Sequence, residues 1–223
     1  MSVLETFFNW NVLVSTMPLL LRGLVTTIVL GVCSIVVGTT AGLAVCLVRL
    51  YAPAPLRILA LIYIDVFRAL PMLVVLIVIY YALPFVGIRL ESGTSAVLGF
   101  SLVLSAYSAE VFRAGIEAVP KGQFEAAASM GLHFLMTLRL VVLPQALRLV
   151  VPPTTGNWIS MIKDTSLASV VAMPELLKEA QDAQAYNANP TPLIGAALIY
   201  LALLWPLVRL VGYLEKRGKA VGR

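Results

Sequence analysis

The 223-residue chain is predicted to be an all-α integral membrane protein with five transmembrane helices, and three observations predict it. Hydrophobic residues make up 60% and charged residues only 12% of the sequence, a balance too apolar for a domain whose surface must face water. Mean hydropathy is +0.95. Five segments are candidates for the run of about 20 mainly apolar residues that a helical span needs, the fourth being shorter than the rest. The basic residues fall in short clusters between those segments, so the net charge of +5 reads as a topology signal rather than as a nucleic-acid-binding face.

Residues 1–21 are expected to form an external segment. They lack the basic start and small-residue cleavage site of a secretory signal, so the segment is expected to be retained, with Trp10 as an interface anchor. The first span, Gly23 to Val48, carries no charge. Gly38 and Gly42 form GxxxG within it, a packing groove whose partner stays open. Cys33 and Cys46 share this stretch without a ligand pattern, which argues against a disulfide or metal role.

The second span, Leu56 to Leu83, is interrupted by Asp65 and Arg68. The third, Thr94 to Phe112, closes near Glu110, which shares a helix face with Arg113 and is expected to pair with it structurally. The fourth, Leu147 to Ile162, is short and starts beside Pro144, Pro152 and Pro153. Pro192 to Val211 is the fifth, followed by a basic tail over residues 215–223.

Alternate ends of these spans differ in charge. Arg49, Arg57, Arg113, Lys121, Arg139, Arg148, Lys216, Arg217, Lys219 and Arg223 fall on one side, against Arg89, Lys163 and Lys178 on the other. Positive charge marks the cytoplasm, so the N-terminus is expected outside and the C-terminus inside.

That orientation puts the stretch EAAASMGLHFLMTLRLVVLPQA, Glu125 to Ala146, in a cytoplasmic loop. Phe124, Ala127, Ala128, Gly131, Leu132 and Leu135 recur at helical spacing and predict one amphipathic helix. Its small residues allow another backbone to approach, Gly131 can supply a turn with positive φ, and Pro144 suits the first turn of the next span. On pattern alone the helix could lie on the membrane surface or dock to a cytoplasmic partner.

Glu125, Ala126, Ala127, Gly131, Leu143 and Pro144 resemble the cytoplasmic coupling motif of permease subunits of ATP-binding-cassette importers. The stretches Phe67 to Pro84, Ser105 to Ala127 and Asn157 to Leu177 are similar to the polar-amino-acid branch of that family, and the likeness runs from about Arg22 to Leu214. Ala69 and Leu70 stand where the family often has Gly-Thr before the proline. The resemblance implies a type I importer fold over residues 22–214. It also implies a coupling helix at about 121–143, with Glu125, Ala126, Ala127, Gly131 and Pro144 docking onto an ATPase subunit.

The implied partners are two ATPases that hold the ATP and Mg, a second permease (identical or paralogous), an external solute-binding protein, membrane lipid and an amino-acid solute. No cofactor is implied for this chain. The implied setting is the bacterial inner membrane, and the implied mechanism is alternating access.

Charges inside spans cost roughly 2.5–3.5 kcal/mol each on insertion scales and need a reason. Arg68 lies about 16 Å along its helix from Arg57, near the middle of a ~30 Å core. Lys163 and Asp164 lie about 22 Å beyond Arg148, in the outer half. Arg68, Lys163 and Asp164 are therefore candidates to line one cavity, where a cation can hold an α-carboxylate and Asp an α-ammonium. Thr165 and Ser166 could serve the permeant or back-bond to their own helix. An equal alternative has Asp65, Arg68, Lys163 and Asp164 pairing among themselves as scaffold.

The single histidine, His133, leaves no Ser-His-Asp arrangement and no metal cluster. The segment Gly212 to Lys219, GYLEKRGK, has the wrong spacing for a phosphate-binding loop. A channel or secondary carrier uses similar mid-depth polar residues, but neither needs a docking helix.

Overall fold

The computed structural model describes residues 6–221, and side chains within that range up to Gly212. Residues 1–5 of the expected external segment, residues 222 and 223, and the side chains of the basic tail lie outside the described residues. The described chain is helical, without strands. The helices are α1 (Trp10–Tyr51), α2 (Ala54–Ala69), α3 (Met72–Ile77), α4 (Ser92–Glu117), α5 (Lys121–Ser129), α6 (Phe134–Thr137), α7 (Leu143–Asp164), α8 (Leu176–Asn187) and α9 (Thr191–Val221).

Four stretches among the described residues are long and apolar enough to cross a bilayer: Trp10–Tyr51, Ser92–Glu117, Phe134–Val171 and Thr191–Gly212. A fifth crossing is made only if α2 and the segment Met72–Val86, which meet at 105°, count as one. The second span is thus broken where a continuous helix was expected. Pro71 is the cause: it lacks an N–H and drives Leu70 into extended backbone (φ −77°, ψ 133°), ending α2 at Ala69, one residue after Arg68.

Two other prolines are accommodated by the same device. π-helical turns at Val78–Ala82 and Leu138–Val142 stand immediately before Leu83-Pro84 and Leu143-Pro144. In a regular α-helix each ring would meet the carbonyl four residues back; the wider turn moves that carbonyl aside. The helical run that carries the fourth span consequently begins at Phe134, ahead of Leu147, and continues through all three prolines to Val171. The helix of the first span is likewise longer than the expected span, since residues 10–21 continue it.

Helix α4 is the most enclosed span, and small residues make it so. Ser95, Ala96, Gly99, Ser101, Ser105, Ala106, Ser108 and Ala109 are all buried around Phe100, which lets neighbours approach closely. Gly38 and Gly42 of α1 meet α4 at Leu104 and at Ser105, Ser108 and Ala109, so α4 is the partner of the GxxxG groove. Tyr63 fixes α2 to α4 by donating its hydroxyl to the Leu102 carbonyl at 3.0 Å.

The later elements fasten to α1 in sequence along its length. Trp158 Nε1 of α7 donates to Thr39 Oγ1 at 2.9 Å, Leu176 N of α8 to Thr27 Oγ1 at 3.1 Å, and Asn9 N to Thr191 Oγ1 of α9 at 3.0 Å. Gly23 admits α8: a Cβ there would lie 2.8 Å from Leu176 Cα.

Glu175 caps α8 while fully buried. Its carboxylate accepts from Leu177 N at 2.9 Å, Lys178 N at 2.7 Å and the Tyr200 hydroxyl at 2.8 Å, joining α8 to α9. Glu175→Ala removes the cap and strands these donors, and should cost about 3 kcal/mol of stability, read as a lowered Tm in detergent. Burial raises the Glu175 carboxyl above its ordinary value, and the three donors restrain that rise. The stability it lends is complete in acid, below the ordinary carboxylate range, and is lost as pH climbs through the raised value. Glu175→Gln should flatten that part of the Tm-against-pH curve.

Candidate functional site

Arg68 occupies the last turn of α2, directly before the break at Leu70-Pro71. On α7, Asn157, Ser160 and Asp164 follow at three- and four-residue spacing and share one face. Together with Tyr107 of α4 they supply the polar lining of a cavity of about 480 Å³, closed by Leu70, Met72, Val103, Leu104 and Met161. The break at Pro71 contributes Ala69 to Met72 to its wall.

Within this cavity the guanidinium of Arg68 sits 5.6 Å from the centroid of the Tyr107 ring, a cation–π contact. Among the described residues, neither Arg68 nor Asp164 has an ion-pair partner within 4.0 Å. Asn157 Nδ2 is also buried without a hydrogen-bond partner. Among the described residues the cavity thus holds a cation and a carboxylate outside any ion pair and an amide donor outside any hydrogen bond. This combination can bind a zwitterion.

Of the five residues singled out for the solute path, Arg68 and Asp164 meet on the cavity and three do not line it. Lys163 is exposed, about 100° around the helix from Asp164. Thr165 is fully buried and donates to the Ile162 carbonyl at 2.7 Å, and Ser166 donates to the Lys163 carbonyl at 2.8 Å; both hydroxyls back-bond to their own helix. Asp65 is exposed and makes no ion pair with Arg68. Asn157 and Tyr107 were not anticipated. The stripe Asn157, Ser160, Asp164 was available from spacing alone, whereas Tyr107 depends on how α4 meets α2.

The second region of interest is the α5–α6 loop. Helix α5 ends at Ser129, so the single helix expected across Phe124 to Leu135, and the longer one at about 121–143, are interrupted. Gly131 is the reason: it adopts φ +79°, and Gly131 N and Leu132 N donate to the carbonyls of Ala128 and Ala127 at 2.9 and 3.1 Å, closing the helix end. His133 then caps α6, its Nδ1 accepting from Met136 N at 3.4 Å.

Glu125, Ala126, Gly131 and Pro144 are exposed, while Ala127 is buried at 3% exposure. Ala127 therefore holds the loop to its own chain and offers no outward contact. The outward apolar surface comes from Met130, Phe134 and Leu135, which are 78%, 59% and 66% exposed. Phe134 packs edge-on against Tyr51 at 6.0 Å, tying the loop to the end of α1. Nearby, Glu110 bridges Arg49 and Arg113, and Arg113 also pairs with Glu117. The expected Glu110–Arg113 pair is thus one edge of a four-residue network.

Comparison with known proteins gives concordant matches. The family described as "Binding-protein-dependent transport system inner membrane component" matches residues 34–219. A probable amino-acid ABC transporter permease protein of Bacillus subtilis, YckA, is 36% identical over 214 residues, covering 96% of this chain and 95% of the relative. The L-cystine transport system permease protein TcyB of the same organism is 37% identical over 217 residues, covering 96% and 93%. Among solved structures, the crystal structure of an amino acid ABC transporter with histidines superposes with a TM-score of 0.86 at 33% identity, covering 92% of this chain and 96% of that one.

Proposed function

The chain belongs to the binding-protein-dependent transport system inner membrane component family, a multi-pass protein of the bacterial inner membrane, and from that premise we propose that it lines the path of an ATP-driven importer for an amino acid or close derivative. The observation that carries this reading is the pair of opposite charges, Arg68 and Asp164, that share one cavity without ion-pair partners among the described residues. An α-carboxylate and an α-ammonium complement them, and Asn157 adds a free donor. The relatives described as amino-acid and L-cystine permeases support the same solute class.

In this reading the N-terminus is outside, and the α5–α6 loop docks in the cytoplasm on a separate ATPase that holds the ATP and Mg. A second permease, identical or paralogous, completes the path, and an external solute-binding protein delivers the solute. Nucleotide-driven motion enters through Glu125, Ala126 and Gly131 and the exposed Met130, Phe134 and Leu135, and continues through the unbroken run from Phe134 into α7. Asp164 lies on that run, so displacement of the loop is transmitted as a helix movement to the cavity.

The test is co-purification with the neighbouring ATPase, followed by uptake in proteoliposomes. Leu135→Asp, at an exposed position, should cut recovery of the ATPase about thirtyfold, the size of an interface hot spot, while the permease still inserts. Ala127→Trp is a poorer probe because it disturbs the loop's own packing. Uptake that proceeds without nucleotide would reject this reading in favour of a channel or secondary carrier.

A further inference from the structure

At the Arg49 end of the bundle, α1, α2 and α4 enclose a second cavity of about 330 Å³, lined by Arg49, Leu50, Arg57, Leu61, Arg113 and Glu117. Glu110 and Glu117 answer two of its three guanidinium groups. Arg57 has no ion-pair partner among the described residues and is exposed. The cluster therefore carries a surplus of one positive charge, lodged on Arg57 at the mouth. A guanidinium has five N–H donors in a planar fork, so Arg49 and Arg113 keep donors free beyond those given to the carboxylates.

Position and shape narrow the ligand. Arg49 stands in the last turn of α1 and Arg57 in the first turn of α2, so the cavity opens where the chain turns from the end of the first candidate span into α2. Leu50 and Leu61 supply its apolar wall. Leu47, one turn deeper on the same face of α1 as Leu50, is 42% exposed. A charged mouth above an apolar wall suits an amphipathic molecule lying along the protein. The surplus of one charge matches a phosphodiester, which carries a single negative charge, whereas a free phosphate dianion would leave a charge facing Glu117 unanswered.

We infer that this cavity binds the headgroup of an anionic phospholipid, with the phosphodiester among Arg57, Arg49 and Arg113 and the acyl chains running past Leu50, Leu61 and Leu47. Basic pockets between spans recognise such headgroups through charge-assisted hydrogen bonds. This site is separate from the Arg68–Asp164 cavity and does not rest on the transport reading.

The experiment uses the full permease with its co-purifying subunits in nanodiscs of phosphatidylcholine alone or mixed with phosphatidylglycerol, with retained lipid counted by native mass spectrometry. Phosphatidylglycerol should be retained over phosphatidylcholine, Arg57→Gln should lower its retention about fivefold, and Arg57→Lys should keep most of it. Arg57 is exposed, so neither variant burdens the fold, and Arg68→Ala should leave retention unchanged. Equal retention of the two lipids, or retention indifferent to Arg57→Gln, would overturn the assignment. Displacement of phosphatidylglycerol by millimolar inorganic phosphate would reassign the cavity to a free anion. Loss of a co-purifying protein subunit in Arg57→Gln, with lipid retention intact, would make it a protein interface instead.

Discussion

Arg68→Ala should reduce solute uptake about 30- to 100-fold, corresponding to roughly 2–3 kcal/mol for a charge-assisted contact. The arginine has no carboxylate partner among the described residues, so its removal strands no buried counter-charge, and the fold should tolerate it. What it loses internally is the stacking on Tyr107. The solute-stimulated component of ATP hydrolysis should fall while the basal component persists. Asp164→Asn, nearly isosteric, should act alike from the other side of the cavity. Equal loss of basal and stimulated hydrolysis in either variant would make these residues scaffold and remove them from the solute path.

The second large effect falls on helix packing. Gly42→Val should abolish the monodisperse peak of the folded protein on fluorescence-detected size exclusion. A Cβ at Gly42 would lie 2.6 Å from Ser108 Cβ and 2.8 Å from the Ser105 carbonyl oxygen. One of those atoms is backbone, so no rotamer change relieves the overlap and α1 must move off α4. Overpacking costs typically 1–3 kcal/mol and more where the backbone has to shift, and here it strikes the main contact of the most enclosed helix. Gly122→Ala is the control: a Cβ there meets nothing within 4 Å, and the exposed helix should gain up to about 1 kcal/mol. A normal peak for Gly42→Val would mean that α1 and α4 are not held by this groove.

How far the sequence could be read depends on the range over which each signal acts. Apolar runs locate spans because the cost of exposing them is a property of the segment alone. Gly131 could be assigned a positive φ for the same reason: the preference belongs to one residue. The breaks were harder. Pro71 was visible, yet an apolar flank masked its consequence, and only the structure separates the prolines preceded by a π-helical turn, Pro84 and Pro144, from the one at which the chain turns through 105°. Ala127 illustrates another limit, since helical spacing defines an apolar stripe without saying whether that stripe faces the chain itself or a partner.

The sequence by itself determined that the chain is helical and membrane-embedded, which family it resembles, and that Arg68 and Asp164 demand a reason. All of these follow from local composition, residue order and the cost of charge in lipid. Tertiary structure alone decided that α4 fills the Gly38–Gly42 groove, that Glu175 joins α8 to α9, and that Arg68 and Asp164 share a cavity while Lys163 and Thr165 turn away. Those outcomes depend on the relative rotation of helices far apart in sequence. A residue's partner across such an interface is set by the packing of both surfaces at once, which no single stretch of sequence specifies.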